Sequence, residues 1–131
     1  MLLRRVLLLA VLPALLLTGA AHARGLTTRP TLVFDIRVTI SDERIAVDPR
    51  RAPRGVEARF IIKNEGSEKH NFTLNGKKGP AGRRETVSET LKPGQKKTVE
   101  LPLDFRARIP YFGGLEADRA KPGMRGVFVI Y

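Results

Sequence analysis

Thr31-Leu32-Val33-Phe34-Asp35-Ile36-Arg37-Val38-Thr39-Ile40 places Leu32, Phe34, Ile36, Val38 and Ile40 on one parity, with mostly polar residues between them. A period of two is the mark of a strand with one buried face, because successive side chains point to opposite sides of a sheet. Outward from this run the pattern recurs at Val56, Ala58, Phe60 and Ile62, at Val99, Leu101 and Leu103, and from Gly126 to Tyr131. A shorter piece, Asn71 to Leu74, adds Phe72 and Leu74. Turn-formers separate these runs: Asp48-Pro49, Ala52-Pro53, Arg54-Gly55, Asn64-Glu65-Gly66, Asn75-Gly76, Lys92-Pro93-Gly94, Gly113-Gly114 and Pro122-Gly123. Pro lacks an amide donor and Gly supplies turn conformations, so no window of helical length survives, although Leu115 to Ala120 has room for one turn. These features predict a small all-β sandwich or barrel of about seven strands.

The first residues read differently. Arg4 and Arg5 precede an apolar run from Val6 to Leu17, and Ala21-His22-Ala23 fits the small-x-small pattern of a signal-peptidase site. This predicts a bacterial-type signal peptide over 1–23 and a single domain over 24–131, periplasmic or secreted, with no transmembrane span after cleavage. The competing reading is an uncleaved anchor, but the apolar run falls short of or barely reaches the roughly 20 residues a span needs. Cleavage would remove two arginines and no acid, taking the net charge from +11 to +9.

Composition limits the chemistry. The chain has 131 residues, 24 Lys plus Arg against 13 Asp plus Glu, no Cys and no Trp. Without cysteine there is no disulfide, iron–sulfur cluster, thiolate metal site or thiol nucleophile. The domain is therefore held by its core, which is feasible at about 100 residues. Two stretches are less regular: Asn75 to Glu89 reads as an exposed basic loop, and Phe105 to Arg125 mixes Arg, Gly, Pro and aromatics before the last strand. Long loops on a sheet scaffold tend to carry function.

Three strings then take on meaning together. Gly55 to Gly66 leads into His70-Asn71-Phe72; Leu91-Lys92-Pro93-Gly94-Gln95 precedes a strand; and the chain closes on Gly123-Met124-Arg125-Gly126-Val127-Phe128-Val129. Over nearly all of Thr31 to Tyr131 this order resembles the cupredoxin family, the plastocyanin- and azurin-like blue-copper domains. The resemblance implies a Greek-key β-sandwich in which His70 stands at the first copper ligand and Met124 at the axial thioether. It also implies a thiolate about ten residues before the Met and a second imidazole about five before it, which here are Gly114 and Arg119. Blue copper needs two imidazoles and one thiolate around the metal, so by residue identity the chain has no blue-copper centre. Arg119 would set a permanent cation at the site, unfavourable beside Cu(II) but suited to a carboxylate, sulfate or phosphate group.

Each residue also has a plainer reading. His70 is either a metal ligand or a hydrogen-bonding residue that holds neighbouring loops. Met124 is either a thioether ligand or a core filler. Asn64 and Asn71 read as loop-pinning residues. Asp35, Asp42, Asp104, Glu116 and Asp118 are carboxylates that nothing in their spacing distinguishes from surface charges. With one His after residue 23 and no nucleophile or phosphate-loop motif, the chain does not read as an enzyme. The basic residues lack the interleaved aromatics or reading motif of a nucleic-acid binder. Two functions stay open: weak copper handling through His70 and Met124, favouring Cu(I), whose softness suits a thioether, or a metal-free module that engages an anionic envelope protein or surface, Arg119 being one contact.

Overall fold

A computed structural model describes residues 31–79, 82 and 84–131 of the chain, so the segment 1–23, expected to be a signal peptide, lies outside the described residues. In chain order these residues form β1 (Val33–Ile40), β2 (Ile45–Asp48), β3 (Arg51–Ala52), β4 (Glu57–Asn64), β5 (His70–Lys78), β6 (Arg84–Leu91), β7 (Lys96–Pro102) and β8 (Ala107–Phe112). They end in α1 (Glu116–Arg119), a 3₁₀ turn over Pro122–Met124 and β9 (Arg125–Ile130). The strands make two sheets, one in the order β2-β1-β4-β7 and the other β3-β9-β8-β5-β6.

The alternation read from the sequence becomes the core. β1 and β4 run parallel with Ile36 opposite Phe60, Val38 opposite Ile62 and Ile40 opposite Asn64. All six are buried and so lie on the inner face of the first sheet. Phe72, Leu74, Ile109, Tyr111, Phe128 and Ile130 close on them from the second sheet. Phe60 bridges the two layers, its ring 5.5 Å edge-on from Phe128 and 6.4 Å from Phe72, with Phe72 in turn 6.0 Å from Tyr111. Each such buried ring contributes roughly 1.5–3 kcal/mol over leaving it exposed.

The prediction of about seven strands is corrected to nine among the described residues. β2 and β3 have four and two residues and are too short to show a period. The expected basic loop over Asn75 to Glu89 is largely the paired ends of β5 and β6, with an irregularity between Asn75 and Lys78. There Gly76 runs so close to the backbone carbonyl of Glu85 that a β-carbon would collide with it. β6 escaped recognition because a core-facing position is Glu85, 2% exposed. The stretch from Phe105 to Arg125 likewise contains β8, disguised by Pro110, which the fold accommodates because β8 pairs with β5 only at Tyr111 and Phe112. The single helical turn expected between Leu115 and Ala120 is present as α1.

Candidate functional site

The loops at one end of the sandwich converge on His70. Asn64 ends the inner face of β4 and organises the turn that follows: its Nδ2 donates to Glu68 O at 2.8 Å and Leu91 O at 3.0 Å, and its Oδ1 accepts from Gly66 N at 2.9 Å. The chain is thereby returned to start β5 at His70, which is fully buried. The loop-pinning role expected of Asn64 is what the geometry shows.

Two carboxylates take the imidazole from opposite sides. His70 Nδ1 lies 2.8 Å from Asp118 Oδ2, and Nε2 lies 2.9 Å from Asp42 Oδ1. Asp118 comes from α1 and is 2% exposed; Asp42 comes from the turn between β1 and β2 and is part-exposed. Lys121 closes the ring, its Nζ donating to Asp42 O at 2.6 Å and standing 3.6 Å from Asp118 Oδ1. Asp42 also accepts from the Ser67 amide and hydroxyl. Three separate loops are joined through one ring.

An ionised carboxylate only accepts hydrogen bonds, so opposite two ionised carboxylates both ring nitrogens donate and the imidazolium is the favoured form. Burial pushes the imidazole pKa down, but the hydrogen bonds it gives to Asp118 and Asp42, with their charges, outweigh it and the net shift is upward. The bonds that Ser67 and His70 give to Asp42, its side-chain hydroxyl first, hold that carboxyl well below the usual carboxylate range. Two acids, an imidazolium and an ammonium make the cluster neutral, which is how buried charge is tolerated.

The other expected site residues lie around this ring, not within it. Gly114 stands where the resemblance places the thiolate, and a β-carbon there would collide with Asn71 Oδ1. Asn71 uses that oxygen to accept from Gly114 N at 3.0 Å and from Thr73 Oγ1, and donates from Nδ2 to Thr90 Oγ1 at 3.0 Å. The space is filled by an amide that pins the loop. Arg119, placed by residue count at the second imidazole, is exposed and turns its Nε back to Gly114 O at 3.3 Å. Its neighbour Asp118 is the residue that meets His70, and Gly113 packs directly against Asp118. Met124 is buried in the hydrophobic core, and its carbonyl accepts from Gly113 N at 2.8 Å.

These residues do not fit copper. A metal-bound imidazole must offer a nitrogen lone pair, and both nitrogens of His70 face carboxylate oxygens, at 2.8 and 2.9 Å. Asp42 and Asp118 approach from opposite edges of the ring, and among the described residues no three His, Cys, Asp or Glu side chains gather where one ion could sit. Asp42 and Asp118, which nothing in their spacing distinguishes from surface charges, are brought together at His70 by the fold. The signal that could have found Asp118 is its position one residue from the counted imidazole site.

No family model and no curated relative matches the sequence. Solved structures do. The chain superposes on dithionite-reduced auracyanin from the photosynthetic bacterium Roseiflexus castenholzii with a TM-score of 0.57 at 18% identity, covering 74% of this chain and 96% of that one. Auracyanin A, a "blue" copper protein from the green thermophilic photosynthetic bacterium Chloroflexus aurantiacus, gives 0.53 at 13% identity over 76% and 99%. Reduced rusticyanin gives 0.57 at 12% identity over 76% and 79%. The likeness establishes the fold expected from the sequence, a cupredoxin-like β-sandwich.

Proposed function

We propose that this cupredoxin-fold chain is an exported, metal-free binding module, not an electron carrier or an enzyme, and that it engages an anionic partner of the cell envelope through its basic surface. The observation that carries this reading is the Asp42–His70–Asp118 ring, which turns the residue at the family's ligand position into a structural cation. Copper would have to displace a proton from His70 and break a charge-assisted hydrogen bond of a buried pair. The absence of any cysteine removes the thiolate route as well. What the ring supplies is rigidity: it fixes α1 and thereby Arg119, which is exposed and borders an apolar groove of about 490 Å³. Cations beside an apolar surface suit a partner bearing negative charge and a hydrophobic element.

The test is a competition titration of Cu(I) and Cu(II) against chromophoric chelators at pH 7, with wild type, His70→Ala and Met124→Leu. The module reading expects no saturable uptake by any of the three. Stoichiometric uptake by wild type that His70→Ala abolishes would restore copper handling through His70 and Met124 and overturn it.

A further inference from the structure

The register of the second sheet defines its outer face. β8 and β9 set Arg108 opposite Val129, Pro110 opposite Val127 and Phe112 opposite Arg125. The residues that alternate with them, Ile109, Tyr111, Phe128 and Ile130, are buried, so these three pairs leave the sheet on the side away from the core. β3 adds Arg51, opposite Val129 and next to the buried Ala52. Its guanidinium lies over the Tyr131 ring, 4.4 Å from the centroid. An apolar centre is thus flanked by cations, Arg51 and Arg108 at one end and Arg125 at the other. That centre is open, with Val127 40% and Tyr131 48% exposed.

No carboxylate shares the face. The only acids on these five strands are Glu85 and Glu89 of β6, and both stand on the parity of the buried Val87. Glu89 reaches across to the first sheet, where it accepts from Lys97 Nζ at 3.0 Å. The outward positions beside β8 are neutral, Thr73 opposite Ser88 and Asn71 opposite Thr90. The first sheet differs: Arg59 meets Asp35 through two hydrogen bonds of 2.7 and 2.8 Å, and Lys63 lies 3.3 Å from Glu65. Arg51, Arg108 and Arg125 form no ion pair among the described residues.

We propose that this outer face docks on a membrane surface rich in anionic phospholipid. Such a surface complements the face in both respects, with lipid phosphates for the guanidiniums and hydrocarbon beneath them for Pro110, Phe112 and Val127. Arginine binds phosphate oxygens through its planar fork while its apolar stem stays against the hydrophobic boundary. Tyr131 stands at the rim, and an aromatic ring with a polar end suits the headgroup level. A second copy of the chain fits less well, because a two-fold contact through this face would press like charge against like. The inference rests on the reading of the domain as a module for an anionic envelope partner, and it names that partner's chemistry.

The test is co-sedimentation of the full chain with phosphatidylcholine vesicles that contain or lack phosphatidylglycerol. The apolar run 6–17 is common to every variant, so the quantity read is the gain in affinity that phosphatidylglycerol brings. Arg108→Gln/Arg125→Gln should cut that gain by about fivefold for each arginine removed. Lys63→Gln/Lys96→Gln takes the same charge from the outer face of the first sheet and should change it by less than about twofold, since attraction fades within a Debye length. All four residues are exposed, so circular dichroism of both double variants should match wild type. Because the chain has no cysteine, Val127→Cys and Lys63→Cys each provide a single thiol for an environment-sensitive dye. The dye should shift to the blue on phosphatidylglycerol vesicles in Val127→Cys and not in Lys63→Cys. Equal losses in the two double variants, or equal shifts at the two labels, overturn the docking face. A shift at the Val127→Cys label that grows with protein concentration and needs no lipid assigns the face to a second copy, and no gain from phosphatidylglycerol leaves the anion to a protein; both overturn the proposal. Copper titration is independent: failure to bind lipid with no copper uptake removes this partner alone, whereas copper uptake through His70 removes the module reading.

Discussion

His70→Ala should be among the most damaging single substitutions outside the aromatic core. It would leave the Asp118 carboxylate, 2% exposed, with Lys121 Nζ at 3.6 Å in place of an imidazolium at 2.8 Å. Breaking a buried ion pair by removing one partner costs about 3–5 kcal/mol, because the remaining charge is uncompensated. The retained lysine places the expectation near the low end, about 3 kcal/mol, out of a total stability of about 5–15 kcal/mol for a domain this size. The midpoint of thermal unfolding should fall by roughly 12–24 °C. The assay is urea denaturation at pH 6, followed by far-ultraviolet circular dichroism and by tyrosine emission, since the chain has two Tyr and no Trp. Asp118→Ala and the double variant complete a cycle. The double variant should recover about 2 kcal/mol relative to the sum of the singles, because it leaves no orphaned charge. Additivity within about 0.5 kcal/mol would refute the ring as an energetic unit.

Three further outcomes follow from the same geometry. His70 has a raised pKa in the folded state, so its contribution is full below the unfolded value of about 6.5 and is lost as pH rises through the folded value. Asp42 is lowered, so its contribution is present above about 3.9 and fades as pH falls through its folded value. Urea midpoints across pH should therefore be highest between about pH 4.5 and 6.5 and decline on the alkaline side, a decline that His70→Ala should remove; an unchanged alkaline limb in that variant would contradict it. Gly114→Ala should destabilise by about 2 kcal/mol, because its β-carbon displaces Asn71 Oδ1 and with it the bonds from Gly114 N and Thr73; an unaltered Gly114 amide exchange rate would argue otherwise. Burial raises the pKa of Glu85, whose Oε2 has no hydrogen-bond partner. Glu85→Gln should thus raise the urea midpoint at pH 7, by about 1 kcal/mol, with the gain shrinking toward pH 4; a loss of stability would show that the charge is compensated.

How far the sequence carried depends on the kind of residue. Leu32 to Ile40 and Val56 to Ile62 announced their strands because period-two alternation is local, and a buried face cannot be built without it. β6 and β8 were hidden for local reasons also: Glu85 occupies a core-facing position and Pro110 interrupts an otherwise plausible strand. His70 stood out as the sole His after residue 23 in a family-like string, so the centre of the site was legible. Its partners were not, since Asp42 and Asp118 lie 28 and 48 residues away in sequence.

The sequence by itself determined the β class, the order of the main strands, the cupredoxin resemblance and the absence of a thiolate site, all of which rest on residue identity and short-range period. Only the tertiary structure decided what His70 does. Its character as ligand or cation depends on which atoms face its two nitrogens, and those atoms reach it from the turn after β1 and from α1. The same holds for Arg51, Arg108 and Arg125, ordinary surface charges in the sequence that the pairing of β3, β8 and β9 brings to one face. Backbone pattern is encoded locally; protonation and recognition are set by neighbours that only folding supplies.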